Sequence, residues 1–265
     1  MQGIHRSSLR HSWAIQWRVI KALFIRETIT RYGRKNIGFL WLFVEPMVFT
    51  LFIVILWSVV QAHGKSNLPI VAFSVTGYSS VLLWRNMPSR TIGGLGPNLS
   101  LMYHRNVRAL DIFLARVSLE MAGATMSFTV LTLLLTFAGL MSLPEDILIV
   151  LLGWFMLAWF GTALAIFLGA LSERFEAVEK IWAPFSYIMF PLSGAAFLVD
   201  ALPQAAQDFV LLLPMVHGVE LVRDGFFGSK IHAHYNLGYM IVVNLLLSAV
   251  GLVNVRYISR KVTPR

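Results

Sequence analysis

The 25 residues from Ile147 to Leu171 contain no charged side chain. A helix rises about 1.5 Å per residue, so such a run can cross a hydrocarbon layer of about 30 Å. Five further runs are of the same kind. Phe39 to Val60 carries Glu45 as its only charge, and Pro69 to Trp84 is shorter but clean. Val117 to Leu140 is interrupted only by Glu120 near its start. Val178 to Val199 qualifies despite Glu179, Lys180, Pro184 and Pro191, and Leu237 to Val255 closes the series. Backbone polar groups in lipid must be paired within their own segment, and no run shows the two-residue alternation of a barrel strand. An all-α integral membrane protein with six transmembrane helices is therefore expected. Composition agrees, because only 13% of the 265 residues are charged, against about 25% in a soluble domain. Soluble globular enzymes are excluded on that ground. With no cysteine in the chain, disulfides, thiol nucleophiles and cysteine-ligated metals are excluded as well.

The formal charge of +9 would point to nucleic acid in a soluble protein. Its placement gives a different answer. The segment ahead of Phe39 holds Arg6, Arg10, Arg18, Lys21, Arg26, Arg31, Arg34 and Lys35, and the second loop holds Arg85, Arg90, Arg105, Arg108 and Arg116. Arg174 and Lys180 follow the fourth run, and Arg256, Arg260, Lys261 and Arg265 the sixth. The alternate compartment receives only Lys65, Arg223 and Lys230. Cytoplasmic loops collect Lys and Arg, so both termini are expected in the cytoplasm and no nucleic-acid partner is expected. The first apolar run begins near residue 38, too far downstream for a signal peptide. Within the arm, Trp13, Trp17, Ile20 and Phe24 recur at helical spacing, with Arg18, Lys21 and Arg26 elsewhere on the helix. A basic helix with tryptophan on its apolar side lies in the headgroup plane, as a lipid- or partner-binding collar or as a plain topogenic anchor. The expected organisation is a cytoplasmic arm over 1–38, a transmembrane domain over 39–258 and a cytoplasmic tail over 259–265.

Few motifs carry chemistry. Gly64-Lys65-Ser66 ends like a phosphate-binding loop, but Val59 occupies the position where that loop needs glycine. ATP hydrolysis by this route is excluded for the chain. Glu45-Pro46 places a carboxylate within the first span, where it lines a pathway, pairs across a helix interface or snorkels to the nearby surface. The second loop reads as a short amphipathic helix followed by one that runs into the third span; Tyr103, His104, Arg105 and Arg108 make it a candidate partner contact. Pro191-Leu192-Ser193-Gly194 breaks the fifth span, and Pro203 to Pro214 is too short to cross, which suggests re-entrant or interfacial helices between spans five and six. His217, Glu220 and Asp224 then share one helical face beside Arg223. A salt-bridged corner explains them better than a metal or hydrolytic site, since neither HExxH nor GxSxG is present. Tyr78 and Trp159 lie deeper than the interfacial aromatics and offer ring faces to a sugar, with a belt or packing role as the alternative reading of each.

Arg31-Tyr32-Gly33-Arg34-Lys35-Asn36-Ile37-Gly38-Phe39-Leu40-Trp41, followed by Glu45-Pro46, resembles the approach to the first span in polysaccharide-exporting ABC transporter permeases. Leu110-Asp111 and Leu114-Ala115-Arg116 are similar to their second cytoplasmic loop. Ser193-Gly194, Leu202-Pro203, Pro214 and His217 to Arg223, with Gly225 and Gly228, resemble their region between spans five and six. The similarity is to the capsule-exporting KpsM type, with O-antigen permeases of the Wzm type related to it. The resemblance implies a homodimeric inner-membrane permease that moves lipid-linked capsular polysaccharide and docks two separate ATPase subunits. ATP and Mg would be held by those subunits, and no cofactor or metal by this chain. Tyr103, His104, Arg105, Asn106, Val107 and Arg108 would form the coupling helix; Arg31, Arg34 and Lys35 would meet the glycolipid headgroup; Glu45, Tyr78 and Trp159 would line the pathway. His217, Glu220 and Arg223 would belong to a periplasmic gate that faces a polysaccharide co-polymerase or adaptor. The alternatives are an O-antigen or teichoic-acid export permease, a small-molecule exporter, a six-span membrane enzyme using His217, Glu220 and Asp224, or an ion-coupled carrier using Glu45.

Overall fold

A computed structural model describes residues 9–33, 40–60, 68–103 and 107–262. Among these residues there are ten α-helices and no strand. In chain order they are α1 (Leu9–Tyr32), α2 (Trp41–Val60), α3 (Ile70–Thr91), α4 (Leu99–Met102), α5 (Ala109–Phe137), α6 (Ile147–Ser172), α7 (Ala177–Leu192), α8 (Gln204–Val210), α9 (Pro214–Phe227) and α10 (Leu237–Val262). By length and hydropathy α2, α5, α6 and α10 can each cross a membrane. The pair α8 and α9 passes the same test together but bends by 106° at its break, as a broken span or re-entrant loop does. Four of the six expected spans thus appear, and the bent pair, which lies outside those six, would make a fifth crossing. The other two expected spans, α3 and α7, fall short for separate physical reasons.

α3 fails on polarity and is nonetheless the helix at the centre. It packs against α2, α5, α6 and α9, and Val75, Val81, Leu83, Trp84 and Met87 are almost fully enclosed. Ser74, Thr76, Ser79, Ser80 and Thr91 are buried with them. Hydroxyls of this kind can return a hydrogen bond to the preceding turn. Thr76 donates to the Ala72 carbonyl at 2.9 Å, and Ser80 to the Thr76 carbonyl at 2.6 Å. A helix wrapped by other helices has no lipid face to keep apolar, so its hydropathy is low. α7 fails on length, with 16 residues spanning about 24 Å. Its expected run to Val199 is cut at Leu192, because Gly194 takes a left-handed φ of +86° that favours glycine. The break does fall within Pro191 to Gly194, where the sequence placed it.

The periphery is apolar where it is exposed. α2 presents Val48, Phe52, Ile55 and Val59, and α7 presents Ile181, Phe185 and Ile188. Rows of this extent would be an association hazard in water and are an ordinary surface toward lipid or another membrane helix. α1 behaves differently. Trp13 and Trp17 are exposed, and Ile20 and Phe24 half-buried; Leu23 packs on a buried cluster that includes Ala109, Ile112 and Phe113 of α5, and polar bridges add to that contact. The Gln16 amide donates to Asp111, Glu27 pairs with Arg116 at 2.9 Å, and Arg31 pairs with Glu120. α1 and α5 therefore run alongside each other in the same chain direction. The arm is tied to the bundle as well as being basic.

Candidate functional site

Four residues distant in sequence converge where α1, α2, α3 and α5 meet at the basic end of the bundle. Arg31 pairs with Glu120, and its other nitrogen lies 3.2 Å from Glu45. Arg90 approaches the same two carboxylates, with its Nε 3.2 Å from Glu120 and an Nη 3.9 Å from Glu45. Two guanidinium groups thus alternate with two carboxylates. Glu120 is 7% exposed, whereas Glu45 is 57% exposed. The buried carboxylate anchors the group and the exposed one stands at its rim. Burial in this setting pushes the Tyr32 phenol up to about 12, and the Arg31 guanidinium lies 4.8 Å above the Tyr32 ring. Behind the ion pairs lies a cavity of about 200 Å³, lined among others by Arg31, Glu45, Phe49, Arg85, Asn86 and Glu120.

Glu45 therefore pairs across helices, one of its three sequence readings, and also lines the cavity. Arg34 and Lys35 fall outside the described residues and so does the decoy loop Gly64-Lys65-Ser66. Arg85, Arg90 and Glu120 were missed as site residues. Glu120 had a usable signal, since an ionisable residue within an apolar run marks a functional candidate. The two arginines were counted only as loop charge.

The expected coupling segment, Tyr103 to Arg108, is preceded by a 3-10 turn over Gly96–Asn98 and the four-residue α4. Tyr103 follows, 74% exposed, while His104, Arg105 and Asn106 lie outside the described residues. Val107 and Arg108 lead into α5, whose first turn is closed by the Arg108 N–H donating to the Asp111 carboxylate at 2.8 Å. The segment is anchored on both flanks. Arg26 of α1 donates to Asn98 at 2.6 Å. The Leu95 N–H donates to Glu173 and the Gly93 N–H to Ser172 at the end of α6. Burial raises the Glu173 carboxyl above its usual range, partly offset by the Leu95 N–H. Trp182 of α7 donates to Ser89 at 2.9 Å. These contacts tie the stretch before Tyr103 to α1, α6 and α7.

At the other end, α9 organises a corner. His217 Nδ1 accepts from the Asn236 N–H at 3.0 Å, and its Nε2 meets the Leu211 carbonyl at 2.8 Å. Glu220 accepts from the N–H groups of Val199 and His234. Arg223 donates to the carbonyls of Gly194, Ala195 and Phe197 and lies 3.9 Å over the Phe73 ring. Asp224 accepts from the Tyr235 hydroxyl at 2.9 Å. The expected salt-bridged corner is real as a corner but is not held by ion pairs among His217, Glu220, Arg223 and Asp224. Side chains bonded to backbone hold it, because the turns between short helices leave carbonyls and N–H groups without helical partners. Gly77 of α3 makes the room, since a Cβ there would lie 2.5 Å from the Ala195 carbonyl oxygen and 2.6 Å from Arg223. Gly77→Ala should therefore cost about 1–3 kcal/mol by overpacking, read as a lowered thermal midpoint of the purified chain.

Tyr78 and Trp159 are not brought together. Tyr78 is buried, accepts from Trp57 at 2.9 Å and packs on Phe190 of α7. Trp159 of α6 donates to Ser248 of α10 at 3.0 Å. Tyr78 belongs to the helix group that carries the cavity, and Trp159 to a different interface.

An all-helical bundle, apolar outside and charged within one end, defines an integral membrane protein. Residues 18–227 match the ABC-2 type transporter family, and the chain belongs to that family. It is 44% identical to the capsule polysaccharide export inner-membrane protein BexB of Haemophilus influenzae, over all 265 residues and the full length of both chains. It is 45% identical to the protein of the same description, CtrC, of Neisseria meningitidis serogroup B, again over both full lengths. The polysialic acid transport protein KpsM of Escherichia coli is 23% identical over 243 residues, 92% of this chain and 94% of KpsM. The family read from the motifs holds, with BexB and CtrC more similar to the chain than KpsM is.

Proposed function

We propose that the chain is the membrane permease subunit of an ATP-driven exporter that carries lipid-linked capsular polysaccharide across the bacterial inner membrane. The carrying observation is the end-to-end correspondence, at 44% and 45% identity, with two capsule polysaccharide export inner-membrane proteins. Two copies form the channel and two ATPase subunits, which hold ATP and Mg, drive it. The chain binds no cofactor itself. Six spans fit this role, with α3 admitted because it is shielded by other helices and α7 lengthened by its flanking turns. The basic end faces the cytoplasm, so both termini lie there and α1, with Arg31, Arg34 and Lys35, meets the lipid headgroups. His217, Glu220 and Arg223 stiffen the periplasmic face that meets a co-polymerase or adaptor. A catalytic use of His217 and Glu220 is disfavoured, because both side chains are engaged with backbone groups.

Deleting the gene in its host should leave capsular polysaccharide inside the cell, and restoring the chain should return it to the surface. Normal surface capsule after deletion would sink the proposal. The coupling segment has its own test. Tyr103 is 74% exposed, so Tyr103→Ala should leave the thermal midpoint unchanged. As an aromatic anchor in an interface it should weaken co-purification of the ATPase by about 2 kcal/mol, some thirtyfold. Unchanged co-purification would remove Tyr103 from the contact.

A further inference from the structure

We infer that Arg85, with Asn86 beside it, is a binding site for a single oxyanion of the exported glycolipid, either a linker phosphate or the carboxylate of an acidic sugar. The inference rests on the export function proposed above and assigns it a recognition point. Two cations, Arg31 and Arg85, and two carboxylates, Glu45 and Glu120, line the cavity, and Arg90 reaches both carboxylates from beside it. Arg31 and Arg90 share both carboxylates. Arg85 has no carboxylate within 4.0 Å among the described residues, and its Nε is buried without a hydrogen-bond partner. The local surplus of positive charge therefore resides on Arg85.

Its position is prepared. The guanidinium lies 4.7 Å from the centre of the Tyr187 ring and 5.6 Å from that of Phe190, and touches Ser186 only at 3.5 Å. Ring faces orient a cation without neutralising it. That leaves the planar fork free for a bidentate contact to phosphate or carboxylate, which a lysine could not copy. An unpaired cation in a membrane helix is costly and marks a functional position. Size limits the occupant. At about 200 Å³ the cavity falls below the 300–1,000 Å³ of ordinary ligand pockets, so it admits one charged group and not a stretch of polymer. Arg90 lies five positions after Arg85, a rise of about 7.5 Å along α3. An oxyanion leaving the Arg31 and Arg90 level would meet Arg85 next, deeper in the bundle.

The absence of cysteine permits a clean probe. Ala124, which lines the cavity, is replaced as Ala124→Cys in the chain purified with its ATPase, and its labelling by a small methanethiosulfonate reagent is timed. Dodecyl phosphate tests the phosphate source and a glucuronate oligosaccharide the carboxylate source. At least one should slow labelling about tenfold, the worth of a charge-assisted hydrogen bond. Arg85→Gln should abolish the slowing, and Arg85→Lys should restore only part of it. No slowing by either probe, or equal slowing in Arg85→Gln, would overturn the site. In cells, Arg85→Gln should cut surface polysaccharide by about tenfold while the ATPase still co-purifies, and export at the parent rate would count against it. If the parent chain itself exports no capsule, the export function fails, and the labelling result still decides whether Arg85 binds an oxyanion.

Discussion

Replacing Arg223 by methionine should lower the stability of the purified chain by about 3–5 kcal/mol, the range for breaking a buried charged contact. Arg223 is fully enclosed and serves the carbonyls of Gly194, Ala195 and Phe197. Those carbonyls sit where α7 has just ended at a left-handed glycine, so no helix is there to take them. Each acceptor left buried and unpaired costs about 1–3 kcal/mol, and three lie within reach of one side chain. Methionine recovers much of the packing against Phe73 but none of the donors. Arg223→Lys should recover only part of the loss, because an ammonium group lacks the planar fork that reaches several carbonyls at once. Thermal unfolding in detergent, with proteolysis of the 193–202 segment, measures both. A shift below about 1 kcal/mol for methionine would mean that the corner is held by something other than these bonds.

The second large effect is at the opposite end. Glu120→Ala should destabilise the chain by about 3 kcal/mol, because it strands Arg31 without its buried partner. It also removes the last of the three polar bridges that hold α1 against α5, so the end of α1 near Tyr32 should become protease-sensitive. Glu45→Gln is the informative contrast. Glu45 touches the same two arginines but is mostly exposed, and such pairs contribute about 0–1 kcal/mol. The contribution of Arg90 to the Glu120 effect is reduced in the same way, since Arg90 is itself 44% exposed. Comparable losses in the two variants would show that burial does not rank these pairs as argued.

Which parts of this were legible in the chain follows from what each depends on. α6 could be read directly from its uncharged run, and the start of α10 from the apolar stretch at Leu237. The break near Gly194 and the short helices after it followed from proline, glycine and insufficient length. α3 was read too short, ending at Trp84 instead of Thr91, because Arg85 and Arg90 look like loop residues until Glu120 and the α7 rings are placed beside them. The corner residues His217, Glu220 and Arg223 could be found from their spacing, but not their partners. Those partners are backbone groups of turns whose positions no periodicity encodes. The ion-pair group and the cavity behind it combine residues 31, 45, 85, 90 and 120 from four helices. Only packing brings them together; the sequence marks Arg31 as a headgroup contact, Glu45 as a pathway or pairing residue, and the other three only as charges.

The direct measurement of the central claim is ATP-driven export in inside-out inner-membrane vesicles that contain the chain and its ATPase. Radiolabelled lipid-linked capsular polysaccharide is supplied on the outer, formerly cytoplasmic, surface, and glycan protected from an added glycanase is counted. A permease subunit for capsule export predicts protected glycan that accumulates only with ATP and only when this chain is present. Accumulation that proceeds equally in vesicles lacking the chain, or without ATP, would contradict it.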